Sequence, residues 1–351
     1  MATYVIVGAG LAGAKAAQTL REEGFDGEIV LIGAEIERPY ERPPLSKGYL
    51  QGNSERQEIF VHEPGWYADN DVDLRLGIRV TRIETAHHLI RLGDGSRQPY
   101  DKLLIATGAV PRRLPGPAHY LRTVEDSEAL RRRFAEGADV LIVGASWIGL
   151  ETAAAARTAG CQVTVVEPEP TALNRALGQE LGELFARLHA SKGVDLRFGT
   201  AAAEITETGV RLSSGERLAA DLVVVGIGAA PEVGLARDAG LDVGQGILTD
   251  ASLRTSHPDV YAAGDVAEFF HPCTAAASAS STGPTPCTEA RSPPGRCSAR
   301  RSSTTCCRTS TPTSTSSAWS SPATSRATTR SSTGATRRAW SSSPTGCASA
   351  A

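Results

Sequence analysis

The chain has 351 residues, with 36 Lys and Arg against 39 Asp and Glu and 41 % hydrophobic residues. That balance suits a soluble enzyme of more than one domain and offers no bulk positive charge for holding nucleic acid. No run of apolar residues is long enough to span a membrane, and the first predicted strand starts too close to Met1 for a secretory leader, so a cytoplasmic protein is expected.

In chain order, the apolar run Tyr4-Val5-Ile6-Val7 predicts a buried strand, and Gly8-Ala9-Gly10-Leu11-Ala12-Gly13 follows it directly. In such a loop the first glycine makes the strand-to-helix turn, the second lets the backbone approach a pyrophosphate, and the third lets helix and strand pack closely. The helix N-terminus then offers unpaired N–H groups and the positive end of its dipole to the phosphates. Glu35 ends the next strand, Glu28-Ile29-Val30-Leu31-Ile32, where a carboxylate about 20 residues past the glycines can accept from an adenosine ribose. A short strand is predicted at Val72-Asp73-Leu74-Arg75-Leu76-Gly77, a hairpin turn at Gly93-Asp94-Gly95, and a buried strand in the apolar run before Gly108.

Past residue 139 the pattern repeats. Val140-Leu141-Ile142-Val143 leads into Gly144-Ala145-Ser146-Trp147-Ile148-Gly149, and Glu167 ends Gln162-Val163-Thr164-Val165-Val166. Val194-Asp195-Leu196-Arg197-Phe198-Gly199 echoes the strand at Val72, Ser213-Ser214-Gly215 echoes the hairpin turn, and the segment from Ala220 to Pro231, with Gly226 and Gly228, echoes that from Tyr100 to Pro111. Each half is thus a Rossmann-type α/β unit carrying a small β-meander. Two dinucleotides held at once suit electron transfer between them.

With the two loops stand Arg42-Pro43-Pro44-Leu45-Ser46-Lys47, Ala106-Thr107-Gly108, Tyr120-Leu121-Arg122-Thr123, Ile148-Gly149-Leu150-Glu151 and Val260-Tyr261-Ala262-Ala263-Gly264-Asp265. Up to Pro272 the chain closely resembles the FAD-dependent NADH:ferredoxin reductases that serve cytochrome P450s and aromatic-ring dioxygenases, within the glutathione-reductase-like fold. The resemblance implies a discontinuous FAD domain, 1–113 and 245–272, and an NADH domain, 114–244. It implies that Gly8, Gly10, Gly13, Glu35, Arg42, Ala106, Thr107 and Gly108 hold FAD, with Val80 at the adenine, Arg122 along the cofactor, and Gly264 and Asp265 at the ribityl and pyrophosphate portion. NADH would lie on Gly144, Ser146, Ile148, Gly149, Glu167 and Gly228. Ser146 departs from the fingerprint, which has glycine there, and would bring a Cβ and a hydroxyl near the second pyrophosphate. Lys47 and Glu151 would form the catalytic pair beside the flavin, the ammonium favouring the electron-rich reduced ring and the carboxylate orienting the lysine and the nicotinamide. Pro168-Glu169-Pro170, after Glu167, offers no arginine for the 2′-phosphate of NADPH.

Of the seven cysteines only Cys161 precedes residue 273, and its setting, after a glycine and before a strand, is that of a small buried residue. The disulfide reductases of this fold need a redox-active cysteine pair near the flavin. Electrons would therefore leave the flavin singly, to an external ferredoxin of the two-iron kind or similar that feeds a P450 or a dioxygenase.

From Cys273 to Ala351 the alphabet changes. These 79 residues hold 20 Ser, 16 Thr, nine Arg and one acid, Glu289, and no Val, Leu, Ile, Met, Phe or Tyr. Nearly every one of these residue types has G or C at its second codon position, which is how the third position of a GC-rich gene looks one base out of frame. One added C before the Cys273 codon, with free choice among synonymous codons, lets the segment be read as L-Y-G-R-R-I-R-V-E-H-W-A-N-A-L and on to L-P-Y-F-Y-T-D-Q-Y. The pieces H-W-A-N-A-L and P-Y-F-Y-T-D-Q-Y resemble the same reductase family. As written, a segment without aliphatic side chains cannot offset an ordering cost of about 1.5 kcal/mol per residue and is expected to be disordered, with the family's C-terminal α+β domain lost. The alternative expectation is a product that binds NADH without catalysis, and retained yellow flavin distinguishes the two. A nucleic-acid role for the basic tail ranks last.

Overall fold

The computed structural model describes residues 1–271 and 276–279. Met1–Ala318 form one compact unit, and the second, Trp319–Ala351, lies wholly outside the described residues.

The first sheet is parallel. Strand β1 (Thr3–Val7) leads through Gly8–Gly10 into helix α1 (Leu11–Glu22), followed by β2 (Glu28–Ile32), β3 (Val72–Arg75) and β4 (Lys102–Ile105). β1 lies between β2 and β4, β3 lies on the far edge of β2, and the strand Val260–Ala262 returns from late in the chain to pair beside β4. Val5, Ile6 and Val7 are buried, as a continuous apolar run in a parallel sheet covered on both faces requires. The antiparallel meander Val80–Glu84, Leu89–Leu92, Arg97–Pro99 is inserted before β4.

The second unit of the repeat has the same plan. Helix α2 (Val124–Ala135) precedes β5 (Val140–Val143), α3 (Trp147–Thr158), β6 (Val163–Glu167), α4 (Asn174–Ser191), β7 (Val194–Phe198) and β8 (Leu222–Val225). The sheet order is β7-β6-β5-β8, all parallel, and the meander Ala202–Thr206, Gly209–Leu212, Arg217–Ala219 precedes β8. α2 starts with a capping box: the Thr123 hydroxyl accepts from the Asp126 amide at 3.2 Å while the Asp126 carboxylate accepts from the Thr123 amide at 2.9 Å. Both hairpin turns foreseen in the sequence, at Gly93–Gly95 and Ser213–Gly215, connect strands of these meanders.

Two short strands at equivalent places in the repeat, Ala109–Pro111 and Ala229–Pro231, pair antiparallel with each other. Backbone bonds from Arg112 to Gly228 and from Glu232 to Gly108, both 2.9 Å, extend this ribbon by a residue at either end.

The expectation of no regular structure from residue 273 meets one departure. Ala276–Ala279 form a strand antiparallel to Ala267–His271. A ladder needs only backbone donors and acceptors, so the missing aliphatic side chains do not forbid it. The rest of the segment read as out of frame lies outside the described residues.

Candidate functional site

At the first loop the three glycines do different jobs. A Cβ on Gly8, whose φ is +117°, would lie 2.1 Å from the Ala106 carbonyl oxygen, and one on Gly13 would lie 2.1 Å from that of Gly8. A Cβ on Gly10 would meet nothing within 4 Å. Gly8 and Gly13 are thus demanded by packing, whereas Gly10 opens onto free space at the N-terminus of α1, where no side chain caps the first amides. That is the surface a pyrophosphate needs.

Ala106, Thr107 and Gly108 follow the carboxyl end of β4, beside the loop after β1, and Gly264 and Asp265 follow the strand Val260–Ala262 on the same edge. Ligands of open α/β sheets bind outside such carboxyl ends. Gly108 is left-handed, with φ +73°, and a Cβ there would sit 3.6 Å from Arg122 Nη2. Arg122 donates from Nη2 to Asp265 Oδ2 at 3.0 Å, while its buried Nε has no partner among the described residues. A buried guanidinium N–H left unpaired beside an open glycine loop fits an anionic dinucleotide. Thr107 is turned away, its hydroxyl donating to the Glu232 carbonyl at 2.9 Å. The side chain of Val80 is buried in the core under the meander, which leaves its main chain to meet an adenine.

Glu35 is already engaged: Arg42 Nη2 donates to its Oε1 at 2.6 Å, and the Tyr40 hydroxyl donates to Oε2. Arg42 also reaches the Arg122 carbonyl at 2.5 Å, so one guanidinium ties the Glu35 corner to the Arg122 segment. Burial, against the pull of Arg42 and with the help of Glu35, holds the Tyr40 phenol far above its ordinary range. A carboxylate has about four lone-pair sites, which leaves Glu35 capacity for ribose hydroxyls. Tyr40 carried no signal in the sequence beyond its nearness to the Arg-Pro-Pro motif.

The second loop repeats the packing. A Cβ on Gly144 would lie 2.5 Å from the Gly226 oxygen, and one on Gly149 would lie 2.0 Å from that of Gly144. The expectation for Ser146 is corrected. Its hydroxyl is turned away from the phosphate side, donating to the Gly226 carbonyl at 2.6 Å and accepting from the Gly149 amide at 3.3 Å as the N-cap of α3. Serine is a preferred N-cap and satisfies an orphan amide here, which explains its turn. Gly228 has φ +97° and open space where a Cβ would be, and Ile148 is exposed at the start of α3.

Glu167 Oε2 accepts from the Ala145 amide at 2.7 Å and Oε1 from the Glu169 amide at 3.0 Å, which fixes the carboxylate at the end of β6. The expectation that no arginine lies near is also corrected. Arg175 Nε donates to Glu169 Oε1 at 2.8 Å, and Asn174 donates to Oε2 at 3.0 Å. These two bonds, Arg175 first, hold the Glu169 carboxyl below the usual carboxylate range.

Lys47 and Glu151 do meet. Lys47 Nζ stands 3.2 Å from Glu151 Oε1, with the lysine side chain 39 % and the glutamate 14 % exposed. Sequence reasoning quoted Ser46 without giving it a role. Its hydroxyl donates to Glu151 Oε2 at 2.5 Å, so the turn Pro43–Ser46 and its neighbour Lys47 grip both oxygens of a carboxylate in the first turn of α3. The turn is in turn held by Ser127, whose hydroxyl donates to the Leu45 carbonyl at 2.8 Å. Cys161 is buried, its thiol 3.4 Å from the Phe134 carbonyl and pushed up from the ordinary thiol range by burial, so it is not a redox group here.

A family model for pyridine nucleotide-disulphide oxidoreductases matches residues 2–291. The chain belongs to this family. It is 44 % identical over 280 residues to the ferredoxin–NAD(+) reductase component of the anthranilate 1,2-dioxygenase system of Burkholderia cepacia, covering 77 % of this chain and 69 % of that protein. It is 40 % identical over 278 residues to rhodocoxin reductase of Rhodococcus erythropolis, covering 76 % of this chain and 65 % of the relative. Among solved structures, the covalent putidaredoxin reductase–putidaredoxin complex superimposes with a TM-score of 0.76 at 36 % identity, over 79 % of this chain and 70 % of that one. The fold of this family member is therefore the two-nucleotide fold of the pyridine-nucleotide oxidoreductases. Among the described residues no helix is long and apolar enough to cross a membrane, and no group of acidic, histidine or cysteine side chains could hold a metal ion.

Proposed function

We propose that this chain is an NADH-dependent, FAD-containing reductase that delivers single electrons to a ferredoxin serving a dioxygenase or a cytochrome P450. The observation that carries this reading is the Ser46–Lys47–Glu151 junction, which joins the segment after the first nucleotide-binding loop to the helix that opens from the second. FAD, when bound, accepts a hydride pair from NADH and gives up electrons one at a time. In this reading residues 1–113 and 245–272 hold FAD and residues 114–244 hold NADH. Gly10 and the free amides of α1 bind the FAD pyrophosphate, and the Arg122–Asp265 pair lines the cofactor. Glu151, with both oxygens held, keeps the Lys47 ammonium in place, and the half-exposed lysine presents positive charge where the reduced cofactor is electron-rich. A cytoplasmic location goes with this reading, since NADH is supplied there. NADH oxidation coupled to a ferredoxin or an artificial one-electron acceptor tests it, and a protein that reduces neither would refute it.

Two outcomes are expected. Lys47→Ala and Glu151→Ala should each slow flavin reduction by NADH on the order of 10²-fold, the usual loss when an aligned electrostatic group is removed, with a far smaller effect on FAD retention. Rapid-mixing rates equal to the parent in both variants would take the pair out of the mechanism. NADH should be preferred to NADPH more than tenfold, because losing hydrogen bonds to the charged Glu167 costs about 1.5–3 kcal/mol each and its charge repels a 2′-phosphate. Equal kcat/KM for the two coenzymes would contradict the role given to Glu167.

A further inference from the structure

The stretch between β6 and α4 places a cation close to the carboxylate assigned to the adenosine ribose and then ties it back. Glu169 touches both neighbours, its amide donating to Glu167 Oε1 at 3.0 Å and its carboxylate accepting from Arg175 Nε at 2.8 Å. The backbone around it is fixed from the other side, where the Glu169 carbonyl accepts from Gly199 and the Glu167 carbonyl from Thr200. The Arg175 side chain is 85 % exposed and bound through Nε, so both terminal nitrogens of its fork lie toward solvent. A guanidinium fork is the side-chain shape that best matches a phosphate.

We propose that Glu169 is a coenzyme-specificity residue, which holds Arg175 and so withholds from the ribose 2′ position the cation that a 2′-phosphate needs. The inference rests on reading Glu167 as the ribose acceptor. The choice between nicotinamide coenzymes is then set by two acids in series. Glu167 accepts from the ribose hydroxyls of NADH, and Glu169 neutralises the one nearby arginine able to favour the phosphorylated form. An exposed ion pair of this kind contributes little to stability, so its part in holding the fold together is small and its removal leaves the nucleotide-binding unit folded. Discrimination of this kind works by an element that disfavours the competitor as well as one that favours the cognate ligand.

The test is equilibrium binding to the full chain, read by calorimetry with NAD+, NADP+ and adenosine 2′-monophosphate, in the parent, Glu167→Ser, Glu169→Gln, the double variant, and the double variant with Arg175→Ala. Glu167→Ser should weaken NAD+ and leave NADP+ weak. Adding Glu169→Gln should tighten NADP+ and adenosine 2′-monophosphate at least tenfold over Glu167→Ser, with a steep dependence on salt, and removing Arg175 should abolish that gain. A double variant no tighter than Glu167→Ser, or a gain that survives Arg175→Ala, overturns the proposal. A parent chain that binds NAD+ while Glu169→Gln changes nothing in any background refutes the role of Glu169 alone. A parent chain that binds no NAD+ refutes the ribose reading along with it.

Discussion

A gene carrying one more C in the run that spans the codons for His271 and Pro272 is expected to yield a protein that purifies yellow, with FAD near one per chain, and that reduces a one-electron acceptor with NADH. The sequence as written is expected to purify with little flavin and turn over at least 10²-fold more slowly. The difference comes from what the two readings can bury. The shifted reading supplies Leu, Val, Ile, Phe, Tyr and Trp where the written one supplies Ser, Thr and Arg, and only apolar area removed from water offsets the entropy of ordering a chain. The first loop, Arg122 and Asp265 bind one side of a dinucleotide and leave its reacting ring to whatever lies beyond residue 272. Flavin content and acceptor reduction of both proteins, purified side by side, decide it. Full flavin loading and activity in the chain as written would sink the out-of-frame reading.

The second large effect separates the glycines of the fingerprints. Gly13→Ala and Gly149→Ala each force a methyl to about 2 Å from a carbonyl oxygen of the preceding turn, Gly8 in one case and Gly144 in the other. Backbone on both sides leaves no rotamer to escape into, so each should cost at least the 1–3 kcal/mol typical of overpacking and lower the thermal midpoint by several degrees. Gly10→Ala meets open space, and Gly10, with φ −93°, needs no left-handed conformation. It should leave the midpoint unchanged while weakening FAD binding about tenfold or more, as the methyl enters the space left for the pyrophosphate. Urea or thermal unfolding, set beside a flavin titration, reads both properties. Loss of stability in Gly10→Ala, or none in the other two, would show that these contacts are wrong.

The parts of this molecule that could be read from its sequence are those fixed within a few residues. Runs such as Val140–Val143 announce buried parallel strands, and the glycines after them announce turns, because the clash a side chain would cause is with backbone five residues away. Glu35 and Glu167 were legible for the same reason, each lying at the end of a strand. Contacts made across the fold were less so. Lys47 and Glu151 could be paired only through resemblance to a family, and nothing in the order of residues says that Ser46 closes on the same carboxylate. The direction of the Ser146 hydroxyl was misjudged because the fingerprint speaks of a missing Cβ, whereas a serine at that point finds two local partners. Arg175 was passed over since it lies in the next helix, yet the left-handed Leu173 before α4 swings the chain back toward Glu169.

The ribbon formed by Ala109–Pro111 and Ala229–Pro231 bears on any attempt to isolate the nicotinamide half as a separate fragment. A cut at residue 114 removes one strand of the ribbon and keeps the other, leaving the Ala230 edge and the Gly228 carbonyl without the partners they have in the intact chain. Freed strand edges pair with whatever presents a matching edge, most readily another copy of the same fragment. Residues 108–113 therefore belong in the excised piece, as a tether that keeps it monomeric.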